Sequence, residues 1–350
     1  MTLPEPPPRQ LTLRIDKEAL ADNWRTLNRL SGDAEAGAAV KAEGYGLGTD
    51  PVMRALTSAG ARHFFVAHWS EVAGVLAHVP GDQIAVLHGV STAEEARYAR
   101  ETGAVPVLNS IFQAEIWQQS GGGRCHLMLD SGMNRLGLEP GQIGASAIAA
   151  LDVDILMSHL ASADEDTPQN AQQLGVFRSA IAQLPACRHS LANSAGIVLG
   201  PDFHFDLTRP GLSLYGGIAR PELAAALRQV VYIEARVLQL RELSPGDKVG
   251  YNALWTAQRP TRAATIALGY ADGFLRSWSQ NAALHHEGTE LPLIGRVSMD
   301  MVIADASDAP DLAVGDTVQI PYDLPAASAA SGLSQYELLT VLGQRFTRID

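Results

Sequence analysis

Lys41 is the side chain of this sequence best placed for covalent chemistry. It ends the apolar run at residues 38–40 in GAAVKAEGYGLG, and Lys17 and Lys248 are the only other lysines. Burial at a strand end lowers the pKa of a lysine and favours the neutral amine, which can form a Schiff base. A lysine whose ammonium group reaches the solvent fits the same position equally well. Position alone therefore leaves both interpretations open.

A second group of residues is suited to an anion. Ser194 lies in ANSAGI, between an apolar run and a helical pattern, so its hydroxyl and the amides after it can bind a phosphate. Taken alone, Ser194 is better interpreted as an ordinary helix N-cap. Arg209 and Gly211 lie in DLTRPGLSLYGG, next to another apolar run.

Four more residues stand in turns between apolar runs. They are His159 in MSHLASADE, Tyr251 in VGYNALW, Tyr270 in LGYADGF and Met299 in VSMDM. A tyrosine at the start of a strand usually packs half-buried, and a lone histidine at a strand end is more often a structural hydrogen-bonding group. Spacing alone makes none of the four catalytic.

The elements that position these residues alternate between strands and helices. Helical patterns such as 17–30, 70–78, 93–102 and 170–183 separate the apolar runs. The eight predicted strands are 38–40, 63–67, 84–87, 105–108, 125–129, 155–157, 189–192 and 212–215. Eight βα units predict a (β/α)₈ barrel, with its chemistry at the carboxyl ends of the strands. Phosphate commonly binds after the last two strands of such barrels, where Ser194 and Arg209 fall.

The pattern changes after about residue 225. Strand-like runs at 230–240, 261–268, 291–295, 301–304 and 317–320 follow without long helices between them, and one helix is predicted at 334–342. We therefore predict a disordered tail at 1–10, a barrel at 11–225 and a mostly-β domain at 226–350. A strand at 11–15 can join the β domain.

Composition excludes several classes of protein. With 46% hydrophobic and 18% charged residues, the 350-residue chain is typical of a globular enzyme. A net charge of −12 argues against a nucleic-acid partner, and no apolar run approaches the length of a membrane span. Cys125 and Cys187 form no CxxC pair, which argues against a metal site and favours buried thiols in a cytoplasmic protein.

The motifs together resemble the alanine racemase family of pyridoxal-phosphate enzymes. The pieces that carry the resemblance are, in order, AVKAEGYGLG, LDSGMNRLGL, SHLASADE, ANSAGI, DLTRPGLSLYG, VGYNA, LGYADGF and GRVSMDM. The resemblance covers nearly the whole chain. It implies a (β/α)₈ barrel with a carboxyl-terminal β domain, and a homodimer whose active sites use both chains. The implied activity interconverts L- and D-alanine and supplies D-alanine for peptidoglycan.

The resemblance also implies roles for individual residues. Lys41 would hold the cofactor and act as one catalytic base, and Tyr251 of the other subunit would be the opposite base. Arg135 and the Met299 amide, the latter also from the partner, would bind the substrate carboxylate. Tyr270 would narrow the entrance.

The remaining roles implied by the resemblance concern the cofactor. His159 would pack against the pyridine ring. Arg209 would face the ring nitrogen, and His189 would support Arg209. The implied phosphate ligands are Tyr45, Ser194, Gly211 and the amide of Leu212.

Several positions depart from the family pattern. Met128 stands where the family often has a lysine that can be carbamylated and then support Arg135. Arg135 would need another acceptor, such as a backbone carbonyl, the Asn109 side chain or a small anion. Gly44 and Leu47 replace a common alanine and histidine. Gln344 stands where some members have a phosphate-binding tyrosine.

Three alternatives stay open at this stage. One is a racemase of broader specificity that acts on serine or larger amino acids. Another is a different reaction on the same fold, such as an amino-acid decarboxylase or an aldolase. Arg209 argues against a decarboxylase, for which a carboxylate at the ring nitrogen is expected. The third is a non-catalytic cofactor carrier, against which the β domain argues.

Overall fold

The computed structural model describes residues 7–184, 188–280 and 282–349. Its contacts divide the chain into two compact units. We call Lys17–Arg228 the barrel unit, and the segments before Lys17 and from Gln229 onward the strand unit. The boundary between the barrel and the β domain predicted from the sequence, at residue 225, lies three residues before Arg228.

Two predictions fall partly outside the described residues. Residues 1–6 of the predicted tail lie outside them, but the end of that tail is ordered. Arg9 donates a hydrogen bond to the Gln344 carbonyl at 2.6 Å, and the Gln10 carbonyl accepts one from the Arg236 amide at 3.0 Å. Cys187 also lies outside the described residues, whereas Cys125 is buried and free.

The barrel unit is built on a parallel sheet in which strands adjacent in sequence are hydrogen-bonded. Strand β1 (Leu11–Ile15) precedes the barrel and belongs to the strand unit. Strand β2 (Glu35–Ala36) pairs with β10 (Leu207–Thr208) in a separate two-stranded sheet. The seven strands of the main sheet are β3 (Ala38–Ala39), β4 (Phe64–Val66), β5 (Ile84–Val86), β6 (Val105–Leu108), β7 (Arg124–Met128), β8 (Asp152–Met157) and β9 (Arg188–Ser190).

The eighth position of the barrel is occupied by residues 206–210, and the predicted eighth strand at 212–215 is wrong. The Arg209 amide donates to the Ala192 carbonyl at 2.8 Å on one side, and the Ala39 amide donates to the Pro210 carbonyl at 2.9 Å on the other. Leu212–Tyr215 is instead a short, buried 3₁₀ helix. A short apolar run does not distinguish a buried strand from a buried helical turn.

Helices cover the outer face of the sheet. Helix α1 shows why: Leu20, Trp24 and Leu27 recur at helical spacing and are buried, whereas Arg25 is exposed. The helices of the barrel unit are α1 (Lys17–Leu30), the left-handed turn α2 (Lys41–Tyr45), α3 (Thr49–Ala59), α4 (Val72–Leu76), α5 (Ala93–Thr102), α6 (Ile111–Gln119), α7 (Ser146–Ala149) and α8 (Pro168–Ile181). None of the helices in the described residues is both long and apolar enough to cross a bilayer.

The strand unit combines both ends of the chain. Its longest strand, β11 (Val231–Leu243), pairs antiparallel with β1 (Leu11 opposite Ala235). Strand β1 also pairs in parallel with the last strand, so three distant segments share one sheet. The other strands and helices are β12 (Lys248–Val249), β13 (Trp255–Thr256), β14 (Thr261–Ile266), β15 (Ala283–His286), β16 (Thr289–Pro292), β17 (Val302–Asp305), β18 (Thr317–Ile320), α9 (Leu324–Ser331), α10 (Gln335–Thr340) and β19 (Thr347–Ile349).

Candidate active site

Lys41 begins an unusual turn at the carboxyl end of β3. The φ angles of Ala42, Glu43, Gly44 and Tyr45 are 54°, 56°, 61° and 54°, all in the left-handed region. An L-residue in that region costs roughly 1–2 kcal/mol. At Gly44 a side chain would also collide, since an added Cβ would lie 2.8 Å from a methyl of Val52. The rest of the fold must therefore stabilise this turn.

The Lys41 ammonium group is poorly solvated. Burial lowers its pKa, and the nearby Arg135 cation lowers it further, while the Glu71 carboxylate opposes both. The neutral amine is accordingly more accessible than in a free lysine. Its position and environment suit it to condense with an aldehyde.

Tyr45, Ser194 and Gly211 come together in the barrel unit. Ser194 Oγ accepts hydrogen bonds from the amides of Gly211 at 2.9 Å and Ser213 at 3.3 Å. A Cβ added to Gly211 would lie 2.3 Å from the Tyr45 hydroxyl oxygen, so glycine is required here for that hydroxyl to fit. The Tyr45 ring stacks on Tyr215 with centroids 4.5 Å apart. The hydroxyls of Tyr45 and Ser194 thus converge on the segment that includes Gly211, and each can donate a hydrogen bond to an oxyanion.

Ser194 is not the helix cap that the sequence favoured. The side chain that bonds the first amide of the following 3₁₀ helix is that of Asn193, whose Oδ1 accepts a hydrogen bond from the Gly196 amide at 2.9 Å. Ser194 is buried, and its hydroxyl contacts the segment that includes Gly211. Leu212, also buried, begins the short helix that follows Gly211.

Arg209 is a buried cation with few partners. Its guanidinium donates to Ser190 Oγ and to the Ser158 carbonyl, at the ends of two neighbouring strands. Burial lowers its pKa to about 10, which still leaves it charged at neutral pH. Ser158 lies in the motif MSHLASADE, but sequence reasoning gave no role to it or to Ser190.

The structure places Ser190, the neighbour of His189 on β9, in contact with Arg209. Adjacent residues of a strand face opposite sides, so Ser190 faces Arg209 and its neighbour faces away. His189 Nδ1 lies 3.3 Å from a carboxylate oxygen of Asp206. Residue 190 of β9 thus supplies a hydrogen-bond acceptor to Arg209.

His159 lies close to the cations of the site. Burial, followed by the charges of Arg209, Arg135 and Lys41, lowers its pKa to about 3. The imidazole is therefore neutral at physiological pH. A neutral ring can pack against another aromatic ring without the cost of burying a charge.

Arg135 is exposed, and none of the hydrogen bonds or ion pairs among the described residues involves its side chain. Its charge lowers the pKa of both Lys41 and His159, so it lies near both. Met128 is buried and offers no strong acceptor. Asn109 Oδ1 is buried without a hydrogen-bond partner.

The Asn109 amide has a fixed orientation. Its Nδ2 donates to the carbonyls of Leu87 at 3.0 Å and Val107 at 2.8 Å. A flipped amide would bring its oxygen against two carbonyl oxygens, which is unfavourable. Oδ1 is therefore a fixed acceptor at the end of β6, beside the end of β7 that carries Met128.

The remaining predicted residues belong to the strand unit. Tyr251 is 67% exposed and Met299 is 52% exposed, unusual values for large apolar side chains. Leu254 and Met301 are exposed as well. A second protein chain can cover exposed apolar side chains of this kind.

Tyr270 and Met299 are held next to each other. The Tyr270 amide donates to the Ser298 carbonyl at 3.0 Å, and the Ala271 amide donates to the Met299 carbonyl at 3.1 Å. The buried carboxylate of Asp272 binds Arg345 through two hydrogen bonds, of 2.6 and 2.8 Å. Sequence reasoning missed this pair, because 73 residues separate its members.

The predicted residues therefore form two groups. The barrel unit brings together Lys41, Tyr45, Arg135, His159, Ser194, Arg209, Gly211 and Leu212. The strand unit carries Tyr251, Tyr270 and Met299. Within the described ranges, no group of three or more His, Cys, Asp or Glu side chains could hold a metal ion.

Comparison with known proteins places the whole chain in one family. Residues 15–219 match the model of the alanine racemase N-terminal domain, and residues 230–350 match that of the C-terminal domain. Alanine racemase of Cereibacter sphaeroides (strain ATCC 17029 / ATH 2.4.9) is 45% identical over 346 residues, covering 96% of this chain and 97% of the relative. The biosynthetic alanine racemase of Agrobacterium fabrum is 40% identical, covering 97% of this chain and 93% of the relative.

A solved structure is similar over almost the same length. The crystal structure of Bartonella henselae alanine racemase with covalently bound pyridoxal phosphate superimposes with a TM-score of 0.91 at 37% identity. The match covers 98% of this chain and 99% of the other. This protein belongs to the alanine racemase family.

Proposed function

We propose that this protein is a pyridoxal-phosphate-dependent racemase that interconverts L- and D-alanine. The observation that carries the proposal is the arrangement in the barrel unit. A lysine with a lowered pKa, Lys41, lies at a strand end. Tyr45, at the end of the turn that Lys41 begins, places its hydroxyl against Gly211, whose amide donates to Ser194 Oγ. One element thus supplies both an amine for an aldehyde and a hydroxyl for a phosphate.

The residues present fit pyridoxal phosphate. A Cβ on Gly211 would overlap the Tyr45 hydroxyl, so the glycine leaves room for that hydroxyl beside Ser194. Tyr45, Ser194 and the amides of Gly211 and Leu212 would hold the phosphate, and Lys41 Nζ would hold the aldehyde carbon. When bound, this cofactor delocalises the negative charge left when an amino acid loses its α-proton.

Racemisation needs a proton acceptor on each face of the substrate. We assign one face to Lys41 Nζ and the other to the Tyr251 hydroxyl. One group takes the α-proton, the other gives a proton to the opposite face, and the roles reverse in the reverse reaction. Burial of Lys41 favours the amine form that accepts the proton.

Arg209 would face the pyridine nitrogen and set its protonation. Although burial lowers its pKa to about 10, the guanidinium keeps its proton at neutral pH. A ring nitrogen next to that cation stays unprotonated and withdraws less charge. The neutral ring of His159 would pack on the cofactor, and Ser190 and Ser158 would hold Arg209 in place.

Arg135 and the Met299 amide would bind the substrate carboxylate. Arg135 supplies the cation, and its proximity to Lys41 matches an amino-acid substrate whose α-carbon lies beside that amine. Tyr270, fixed next to Met299, would limit the side chain to a small group such as methyl.

We further propose that two copies of the chain complete each site. Tyr251, Leu254, Met299 and Met301 are exposed in one copy. A proton-transferring hydroxyl works best away from bulk water, and a second copy would cover it. The free, buried thiol of Cys125 suits a cytoplasmic location, where the product D-alanine would serve peptidoglycan synthesis.

The test is racemisation by the purified protein. L-alanine and, separately, D-alanine are incubated with protein and pyridoxal phosphate, and the products are resolved by chiral chromatography. The expected result is an equal mixture from either side, at a higher kcat/KM than for serine. Conversion of serine at equal or higher kcat/KM would favour the broader specificity. Decarboxylation, or no reaction with either enantiomer, would overturn the proposal.

A further inference from the structure

Glu71 joins the turn that begins at Lys41 to the loop that follows β4. One carboxylate oxygen accepts a hydrogen bond from the Ala42 amide at 2.5 Å. The other accepts from the amides of Ala67 at 2.7 Å and His68 at 3.0 Å. The first amide directly follows Lys41, and the other two follow β4. A single side chain therefore fixes the backbone at the carboxyl ends of two adjacent strands.

The fixed backbone is the one that most needs support. Residues 42–45 all have positive φ, and three of them are L-residues, which avoid that region. A charged acceptor makes stronger hydrogen bonds to amides than a neutral one does. The Ala42 amide is the first amide of the turn. Holding it fixes the backbone that orients the Lys41 side chain, and the path of the chain to Tyr45, whose hydroxyl lies against Gly211.

The charge of the Glu71 carboxylate also acts on the Lys41 amine. Its carboxylate raises the pKa of Lys41, against burial and Arg135, which lower it. The same carboxylate raises the pKa of His88, which burial, His68 and Lys41 lower. The His68 and His88 rings pack edge to face, with centroids 4.2 Å apart. Among the groups that shift the pKa of Lys41, Glu71 is the one that raises it.

We propose that Glu71 is a positioning residue of the reaction, which holds the left-handed turn and thereby orients Lys41 and Tyr45. The proposal rests on the proposed function only in that Lys41 bears the cofactor. Because the proposal concerns the geometry of the backbone, it can be tested by measurements that do not depend on the racemisation rate.

The test uses Glu71→Gln, which keeps the size of the side chain but removes its charge and one of its two acceptor oxygens. Glu95→Gln is the matched control. Glu95 accepts a hydrogen bond from the Ser91 amide at 2.6 Å after the next strand, but it contacts no residue of the Lys41 turn. Melting temperature, followed by circular dichroism, reports whether each variant is folded.

The first readout is hydrogen–deuterium exchange by mass spectrometry on the purified holoenzyme. In Glu71→Gln, peptides covering residues 42–48 should exchange about tenfold faster, and in Glu95→Gln they should be unchanged. The second readout is the pH dependence of borohydride trapping of pyridoxal phosphate on Lys41. Its midpoint should shift to lower pH in Glu71→Gln, because a negative charge is lost, and should stay unchanged in Glu95→Gln.

The third readout separates turnover from binding of alanine. We expect a fall in kcat of about tenfold or more with a smaller change in KM, and partial recovery in Glu71→Asp. If Glu71→Gln unfolds, the exchange of 42–48 is measured in Glu71→Asp instead. Unchanged exchange and an unchanged trapping midpoint would overturn the positioning role. If the natural protein has no racemase activity but Glu71→Gln alters the exchange, the proposed function is refuted and the positioning of the turn stays supported.

Discussion

Replacement of Gly211 by alanine tests the anion site with a single methyl group. The φ and ψ of Gly211 are −131° and −89°, a pair outside the regions that L-residues favour, so alanine adds backbone strain to the steric contact. The new Cβ would lie 2.3 Å from the Tyr45 hydroxyl oxygen and 3.2 Å from its ring carbon Cζ. To restore an ordinary contact of 3.4 Å, the hydroxyl must retreat by about 1.1 Å (3.4 − 2.3).

Tyr45 has little freedom to retreat. Its ring stacks on Tyr215, both rings are buried, and its backbone lies in the left-handed turn. Overpacking of this kind destabilises a protein by about 1–3 kcal/mol. Loss of one hydrogen bond to a charged phosphate costs about 1.5–3 kcal/mol. We therefore expect Gly211→Ala to melt several degrees lower and to bind pyridoxal phosphate about 10- to 150-fold more weakly.

The assay is a titration of cofactor-free protein with pyridoxal phosphate, followed by absorbance, together with thermal melting of the same samples. The double variant Gly211→Ala/Tyr45→Phe removes the 2.3 Å contact, so it should melt higher than Gly211→Ala alone. Gly175→Ala is the control, since its new Cβ meets nothing within 4 Å. If Gly211→Ala binds within threefold of the natural protein and melts at the same temperature, the steric reasoning is refuted.

The other predictions concern the bases, the pH dependence and the anion requirement. Borohydride reduction should fix the cofactor on Lys41 and nowhere else, and peptide mapping that finds it on another lysine would contradict this. Mixing inactive Lys41→Ala and Tyr251→Phe chains should restore about a quarter of full activity once subunits exchange, because about half of the dimers are mixed and each has one complete site; no recovery after verified exchange would rule out shared sites. Burial lowers the pKa of His126, so below pH 6.5 the unfolded chain binds a proton that the folded protein does not, and the free energy of unfolding should fall. Denaturant titrations of His126→Gln should show a flatter decline with falling pH. An equal slope in the two proteins would be evidence against this reasoning. Added bicarbonate should not change activity, and chloride at constant ionic strength should raise it if an anion partners Arg135; a response to bicarbonate with none to chloride would exclude that partner.

Local signals in the sequence predicted the elements that local chemistry determines. Helix α1 has the predicted bounds because its apolar residues recur at helical spacing. Helix α5 does too, because Thr92 caps it and Gly103 ends it. The eighth strand was misplaced because LSLY is as apolar as a strand but folds as a buried turn. The residues that close the barrel include Pro210, which reads as a break rather than a strand.

The site was predicted less completely, for two physical reasons. Adjacent strand residues face opposite sides, and the family resemblance that implied His189 did not indicate that Ser190 accepts a hydrogen bond from Arg209. Contacts between distant segments leave no local pattern. Glu71 reads as an ordinary acidic residue at the start of a helix, and nothing in HWSEV indicates that it bonds the Ala42 amide.

The sheet of the strand unit sets an order of events during synthesis. Strand β1 leaves the ribosome early, but its partner Ala235 follows Leu11 by 224 residues (235 − 11). At about 5–20 residues per second, β1 waits roughly 10–45 s for β11, and longer for β19. The intervening barrel can complete its own contacts in that interval. Until then β1 presents an unpaired edge, so the nascent chain is most prone to wrong pairing after the barrel has folded and before β11 emerges.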